Sequence, residues 1–180
     1  MSTSIPKTQK QWSWTGVPNG FEGLQLRESS VPQPGPGEGT CSRSQLRKSW
    51  LNRVFRLITV LVRIHAVSLN FRDVLIANNQ YFGQVIQDCV PGCDAVGEVA
   101  AIGDGVSQWS IKDRVAPTFF LGDTGAGMTA ENAGTSIPSQ SVPTGTLLQY
   151  RVYPATSLLR VPDNLSWEEA ATLPCAGSWI

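Results

Sequence analysis

The sequence predicts a mainly β fold with a few short helices. Its 180 residues include 12 prolines and 17 glycines, a composition that suits short strands joined by turns. Residues 60–68 are rich in β-branched side chains and alternate in polarity toward their end, which predicts a strand. Residues 96–102 predict a second strand, closed by a Gly-Asp-Gly turn at 103–105 where glycine can take a positive φ.

Weaker patterns complete the β part of the fold. Residues 11–26 place aromatic and leucine side chains around the turn-like Val17-Pro18-Asn19-Gly20, so we expect an irregular strand pair. Further strands are expected at residues 113–117, 147–153 and 158–161. Residues 122–146 are rich in Gly, Thr, Ser and Pro, which predicts a long loop.

Two helices are predicted. The first covers residues 71–78, where Phe71, Val74 and Leu75 share one face and Asp73 lies in the first turn. The second begins after Ser166, which has an acidic residue, Glu169, three positions later. That spacing is typical of a capping box.

The composition favours a globular chain and argues against several functional classes. Hydrophobic residues make up 41% and charged residues 16%, and the formal net charge of zero gives no sign of a nucleic-acid partner. No run reaches the roughly 20 apolar residues that span a bilayer, so no membrane partner is expected. The polar N-terminus lacks the apolar core of a signal peptide. We therefore expect a cytoplasmic protein whose residues 1–11 form a disordered tail.

The cysteines do not follow a structural zinc pattern. The chain has Cys41, Cys89, Cys93 and Cys175, and His65 is its only histidine. No Cys-x-x-Cys occurs, whereas structural zinc sites use four Cys or His ligands in close pairs.

Residues 39–59 differ from the sequence on both sides. The segment is rich in serine and has no acidic residue, while its basic residues are Arg43, Arg47, Lys48, Arg53 and Arg56. Because the segment is unlike its flanks, one hypothesis is a retained intron that adds foreign sequence without a frameshift. The alternative is a basic amphipathic helix that binds a membrane surface or a partner. It rests on the helical spacing of Leu46, Trp50, Val54, Leu57, Ile58 and Leu61.

An ordered set of short motifs carries a family resemblance. The most specific are Pro34-Gly35-Pro36-Gly37-Glu38, Val67-Ser68-Leu69-Asn70-Phe71-Arg72-Asp73, Pro91-Gly92-Cys93-Asp94-Ala95-Val96-Gly97, Lys112-Asp113-Arg114-Val115 and Ala170-Ala171-Thr172-Leu173-Pro174. In this order they resemble the N-terminal, GroES-like domain of the medium-chain dehydrogenase/reductase superfamily. The resemblance is greatest to the zinc-lacking quinone-oxidoreductase branch and to fungal zinc-type alcohol dehydrogenase-like proteins.

The resemblance implies a GroES-like, partly open β-barrel over residues 12–177, interrupted by the 39–59 segment. It also implies a parent enzyme, a homodimer, that uses NAD(P)H to reduce a small molecule with an activated C=C or carbonyl. In such enzymes the protein mainly positions the two reactants and hydrogen-bonds the carbonyl oxygen.

The same resemblance implies that zinc is absent. Zinc-binding relatives hold their catalytic metal with a Cys, a His and a Cys; the matching positions here are Asn70, Cys93 and Cys175. An amide is a poor ligand for zinc. The four-cysteine structural lobe of those relatives is also missing, because residues 119–145 contain no cysteine.

The resemblance assigns catalytic positions to Asn70, Arg72 and Asp73, and places Tyr81 and Cys93 in the substrate and cofactor cleft. Some of these residues also have a purely structural interpretation. Asp73 can be a helix-start carboxylate, Tyr81 can be a packing residue, and Cys93 and Cys175 can be buried free thiols.

The sequence shows no dinucleotide-binding fingerprint. No Gly-x-Gly-x-x-Gly follows a strand, and the glycines at 122–127 have no helix after them. We therefore expect the Rossmann domain to be absent, residues 178–180 to be an aberrant C-terminus, and NAD(P)H not to bind this chain tightly. The chain is expected to be inactive alone. The competing interpretation is a non-enzymatic binding module or an unstable fragment.

Overall fold

The computed structural model describes residues 4–34, 59–81, 87–118 and 145–177. Within these ranges the strands are β1 (Thr8–Trp14), β2 (Leu24–Ser30), β3 (Thr59–Ser68), β4 (Asp94–Ile102), β5 (Arg114–Pro117), β6 (Tyr150–Pro154) and β7 (Leu158–Arg160). The helices are α1 (Phe71–Ala77), α2 (Trp167–Ala171) and α3 (Leu173–Ala176), with a 3-10 turn at Ala155–Ser157. The predicted mainly β fold with a few short helices is confirmed.

The strands form two open sheets and no closed barrel in the described ranges. One sheet has five strands in the order β6-β3-β4-β5-β7, and the other is the β1-β2 ribbon. All of these strand pairs are antiparallel. The ribbon joins the larger sheet through a bridge between Gln11 and Leu148 and a hydrogen bond of 2.9 Å from the Trp12 N–H to the Leu147 carbonyl.

The main hydrophobic core lies on the five-stranded sheet. Val60 and Val62 of β3 pack there with Val99, Val115 and Tyr153. Branched side chains suit such a pleated, buried surface. Strand β3, which the sequence predicted as a strand, pairs with β6 on one side and β4 on the other.

Gly97 of β4 lies close to the backbone of the paired strand β3. It pairs with Ile64 on β3, beside a shift in strand register between Ile64 and Ala66. A Cβ atom at Gly97 would collide with the carbonyl group of Arg63. Glycine is needed here because only a hydrogen atom leaves room for the bend.

The predicted tail at residues 1–11 is wrong from Thr8 onward. Thr8 begins β1 and pairs with Ser30 of β2. The Gln9 side chain is buried and accepts a hydrogen bond of 2.7 Å from the Tyr150 N–H. Polar residues can form this ribbon because the hydrogen bonds between its two strands pair their backbone N–H and carbonyl groups. The amino-acid composition does not show this pairing.

The predicted face of the first helix is also wrong. Phe71 and Val74 are 74% and 38% exposed, whereas Arg72, Asp73, Ile76 and Ala77 are buried. Ile76 and Ala77 pack against Trp14 and Cys89. The helix turns its polar first turn inward because the Asp73 carboxylate accepts backbone hydrogen bonds there.

The predicted capping box of α2 is confirmed. The Ser166 Oγ accepts from the Glu169 N–H at 3.1 Å, and a Glu169 carboxylate oxygen accepts from the Ser166 N–H at 2.9 Å. The helix lies against β3 and β4 with Ala170 and Ala171 buried beside Val96.

An aromatic contact fixes the first turn of α2. The ring of Trp167 stacks on the imidazole of His65, with centroids 4.5 Å apart and planes 7° from parallel. The guanidinium of Arg114 also lies over the indole, at 4.3 Å from its centroid. These contacts join β3, β5 and α2.

Several sequence predictions fall outside the described residues. They are the basic segment at 39–58, most of the predicted loop at 122–146 and the C-terminal residues 178–180. The last residue of that segment, Thr59, is described, and it is a buried residue of β3. In the described ranges, no helix has the length and apolar character that a membrane crossing needs.

Candidate functional site

The predicted site residues lie where three elements meet. Asn70 follows β3 and begins α1, Cys93 and Asp94 lie at the start of β4, and Cys175 lies in α3. One sulfur or carboxylate oxygen from each of Cys93, Asp94 and Cys175 lies within 4.8 Å of the others. The structure thus brings Asn70 and Cys93 together and adds Asp94.

The amide nitrogen of Asn70 is the centre of this cluster. It donates to the Asp94 Oδ2 at 3.0 Å, to the Ser68 carbonyl at 3.3 Å and to the Cys93 Sγ at 3.4 Å. An amide nitrogen carries two hydrogens, so at least one is shared between acceptors. The Asn70 side chain is therefore held as a hydrogen-bond donor to the cluster.

Asp73 fixes the backbone around Asn70. Its Oδ2 accepts from the Asn70 N–H at 2.9 Å, and its Oδ1 accepts from the Gly92 N–H at 3.1 Å. Gly92 has a φ of +93°, a conformation that favours glycine. Both carboxylate oxygens of Asp73 accept hydrogen bonds from backbone N–H groups. The geometry therefore favours the helix-start role of Asp73 over direct contact with a substrate.

Asp94 is the member of the cluster that the sequence analysis missed. It is 1% exposed, and its Oδ1 has no hydrogen-bond partner among the residues that the structure describes. Burial raises the pKa of this carboxyl above its ordinary value, and the hydrogen bond from Asn70 opposes that shift. The sequence shows an acidic residue beside Cys93 in the glycine-rich motif, but no local pattern shows that its side chain is buried.

The two cysteines of the cluster differ in exposure. Cys93 is 7% exposed, while Cys175 is partly exposed. Burial raises the pKa of the Cys93 thiol to about 12 and also raises the pKa of Cys175. Both thiols are therefore protonated at neutral pH when no cation is bound.

The residues at this place differ from the Cys, His and Cys set that the resemblance gives for a catalytic zinc, since Asn70 and Cys93 stand at the first two positions. Cys93, Asp94 and Cys175 offer three potential ligand atoms. However, the Asn70 amide directs N–H donors at Cys93 and Asp94, where a metal ion needs lone pairs.

Arg72 and Tyr81 form the second half of the predicted site. The Arg72 guanidinium carbon lies 5.4 Å from the centroid of the Tyr81 ring. Its positive charge lowers the pKa of Cys93, of Asp94 and of Cys175, against the larger effect of burial. Tyr81 also packs against the hydrophobic cluster of Trp14, which agrees with its packing alternative.

Comparison with known proteins gives the same family from sequence and from structure. The profile of the alcohol dehydrogenase GroES-like domain matches residues 58–163. A zinc-type alcohol dehydrogenase-like protein of Schizosaccharomyces pombe is 33% identical over 159 residues, which cover 88% of this chain and 39% of that protein.

Solved structures share the fold. A candidate alcohol dehydrogenase of Sinorhizobium meliloti is 30% identical with a TM-score of 0.70, and the match covers 97% of this chain and 45% of that one. The quinone oxidoreductase of Coxiella burnetii is 20% identical with a TM-score of 0.64, over 95% and 42% of the two chains. The chain thus spans less than half the length of these relatives.

Proposed function

Because the chain belongs to the family of alcohol dehydrogenase GroES-like domains, we propose that it is the substrate-side domain of an NAD(P)H-dependent oxidoreductase that works without zinc. Its substrate is a small molecule with an activated C=C or a carbonyl. The observation that carries the proposal is the Asn70 amide, which donates hydrogen bonds at the position matching the first metal ligand of zinc-binding relatives.

Each site residue has a role in this proposal. A bound nicotinamide cofactor supplies the hydride. Arg72 places a positive charge near the cluster, where it favours negative charge developing on a substrate oxygen, and the Tyr81 ring orients its guanidinium. Asn70 shapes the cleft beside Cys93, and Asp73 is a positioning residue that holds Asn70 at the start of α1.

The proposal divides the work between this chain and a cofactor domain. Dinucleotide binding needs a glycine-rich turn that leads from a strand into a helix N-terminus. The sequence has no such pattern. We assign substrate positioning to these 180 residues and tight NAD(P)H binding and turnover to the family's second domain.

Metal analysis of the purified chain tests the zinc-free part. We expect zinc well below one ion per chain after dialysis, and no cobalt thiolate absorption on Co²⁺ addition. The matched control is the double variant Asn70→Cys and Cys93→His, which restores the Cys, His and Cys set of the relatives and should bind Co²⁺. One tightly held zinc per unaltered chain would overturn this part of the proposal.

A fluorescence titration with NADPH tests the division of work. We expect no saturable binding of NADPH by the purified chain at micromolar concentrations. Saturable binding in that range would show that the 180 residues hold the cofactor themselves, and the division would then be wrong.

A further inference from the structure

The two cysteines of the cluster face each other without a role in the proposed reaction. Their sulfurs lie within 4.8 Å, one at the start of β4 and the other in α3. Neither forms a disulfide in the structure. The Asn70 amide donates a hydrogen bond of 3.4 Å to the Cys93 sulfur.

We propose that Cys93 and Cys175 are a thiol–disulfide exchange site, at which a low-mass disulfide such as oxidised glutathione converts the pair reversibly into an intramolecular disulfide. The proposal rests on the distance and the exposure of the two sulfurs. It does not depend on the proposed oxidoreductase activity.

The geometry allows the bond to close with a local movement. A disulfide needs its sulfurs about 2.0 Å apart, so the pair must approach by a few ångströms. Cys93 is buried immediately before the first residue of β4, Asp94. Helix α3 is one turn of four residues, with none of them buried, so the approach needs a shift of this short helix rather than of the buried Cys93.

Exposure also sets the order of the two steps. The Cys175 thiolate attacks one sulfur of the small disulfide, breaks its S–S bond and releases one thiolate, which leaves a mixed disulfide on Cys175. The Cys93 thiolate then attacks the Cys175 sulfur and releases the second small thiolate. The two cysteines lose two electrons and two protons in total, and the small disulfide becomes two thiols.

The bond would change the cluster as well as the chain. It ties α3 to the start of β4 and closes the long loop between residues 93 and 175, which restricts the unfolded chain. It also makes the Cys93 sulfur, which accepts a hydrogen bond from the Asn70 amide, part of a disulfide. An oxidised chain therefore has a fixed α3 beside Asn70 and a higher thermal unfolding midpoint than the reduced chain.

The test uses the chain in glutathione buffers of increasing oxidising strength, followed by quenching, digestion without reductant and mass spectrometry. We expect one cross-linked peptide pair containing Cys93 and Cys175, which dithiothreitol separates. In the double variant Cys41→Ser and Cys89→Ala, only the proposed pair remains, and the loss of two thiols should coincide with the rise in the unfolding midpoint.

The matched control adds Cys175→Ser to this double variant, which leaves Cys93 as its only cysteine, so the midpoint should not respond to the buffer. Two separate glutathione adducts at Cys93 and Cys175 would overturn the proposal. So would a cross-link to Cys41 or Cys89 in place of the predicted one, or thiols that persist in the most oxidising buffer. None of these outcomes bears on the NADPH titration, so the two proposals can fail independently.

Discussion

The Asp73 Oδ1 accepts a hydrogen bond of 3.1 Å from the backbone N–H of Gly92, and this contact joins the first turn of α1 to the turn before β4. The other carboxylate oxygen holds the Asn70 N–H. One side chain therefore sets the distance between Asn70 and Cys93, the two positions on which the proposed function depends.

Replacing Asp73 with alanine should lower the free energy of unfolding by about 2 kcal/mol, because two backbone N–H groups lose a charged acceptor. Urea denaturation measures the change. Asp104→Asn is the control, since Asp104 is exposed in a turn and surface changes usually stay within about 0.5 kcal/mol. Equal stability of the two variants would show that the Asp73 contacts do not hold the site.

Gly97→Ala should destabilise the chain by about 3 kcal/mol or more, since the added methyl group meets the Arg63 carbonyl across the β3-β4 pair. Thermal and urea unfolding provide the measurement, and loss of soluble folded chain counts as the expected direction. Gly177→Ala is the matched control: its φ is −75°, and the nearest atom to an added Cβ lies 3.9 Å away. A Gly97→Ala chain as stable as this control would contradict the close approach.

The buried carboxyl of Asp94 should make stability depend on pH. Its pKa is raised by burial, so the folded chain keeps the proton over a range where the unfolded chain has lost it. Stability from this group is present at low pH and is lost as pH rises through the folded-state pKa. The free energy of unfolding of Asp94→Asn, minus that of the unaltered chain, should therefore increase with pH across that range. A difference that stays constant with pH would contradict a raised pKa.

The cysteines should differ in their rate of alkylation. Cys89 and Cys93 are buried, and burial raises their pKa to about 11 and about 12. Cys175 is partly exposed. We expect iodoacetamide to label Cys175 roughly tenfold or more faster than either buried thiol, as read by peptide mass spectrometry. Urea should remove the difference, and a native Cys93 that reacts as fast as Cys175 would contradict the burial of the cluster.

Local signals predicted the parts of the fold that depend on nearby residues. The β-branched run that became β3 and the Ser166–Glu169 capping box were both visible in the sequence, since each is decided within a few positions. The resemblance added Asn70 and Cys93, and the structure brings these two residues into contact.

The sequence predictions were wrong where contacts between residues far apart in the chain determine the structure. Thr8 is in a strand because Ser30 pairs with it, and Arg72 is buried because α1 docks through Asp73. Apolar periodicity alone favoured the opposite face of that helix, and Phe71 is exposed as a result. Asp94 was overlooked because its burial follows from packing by β4 and α3, which no local pattern shows.

The stack of His65 on Trp167 provides a spectroscopic probe of the fold. His65 is the only histidine of the chain, so its imidazole proton resonances need no assignment by mutagenesis. The indole ring current displaces those resonances while α2 lies on the sheet at the observed 4.5 Å. A one-dimensional proton spectrum therefore reports whether α2 is docked, in every variant described above and without a label.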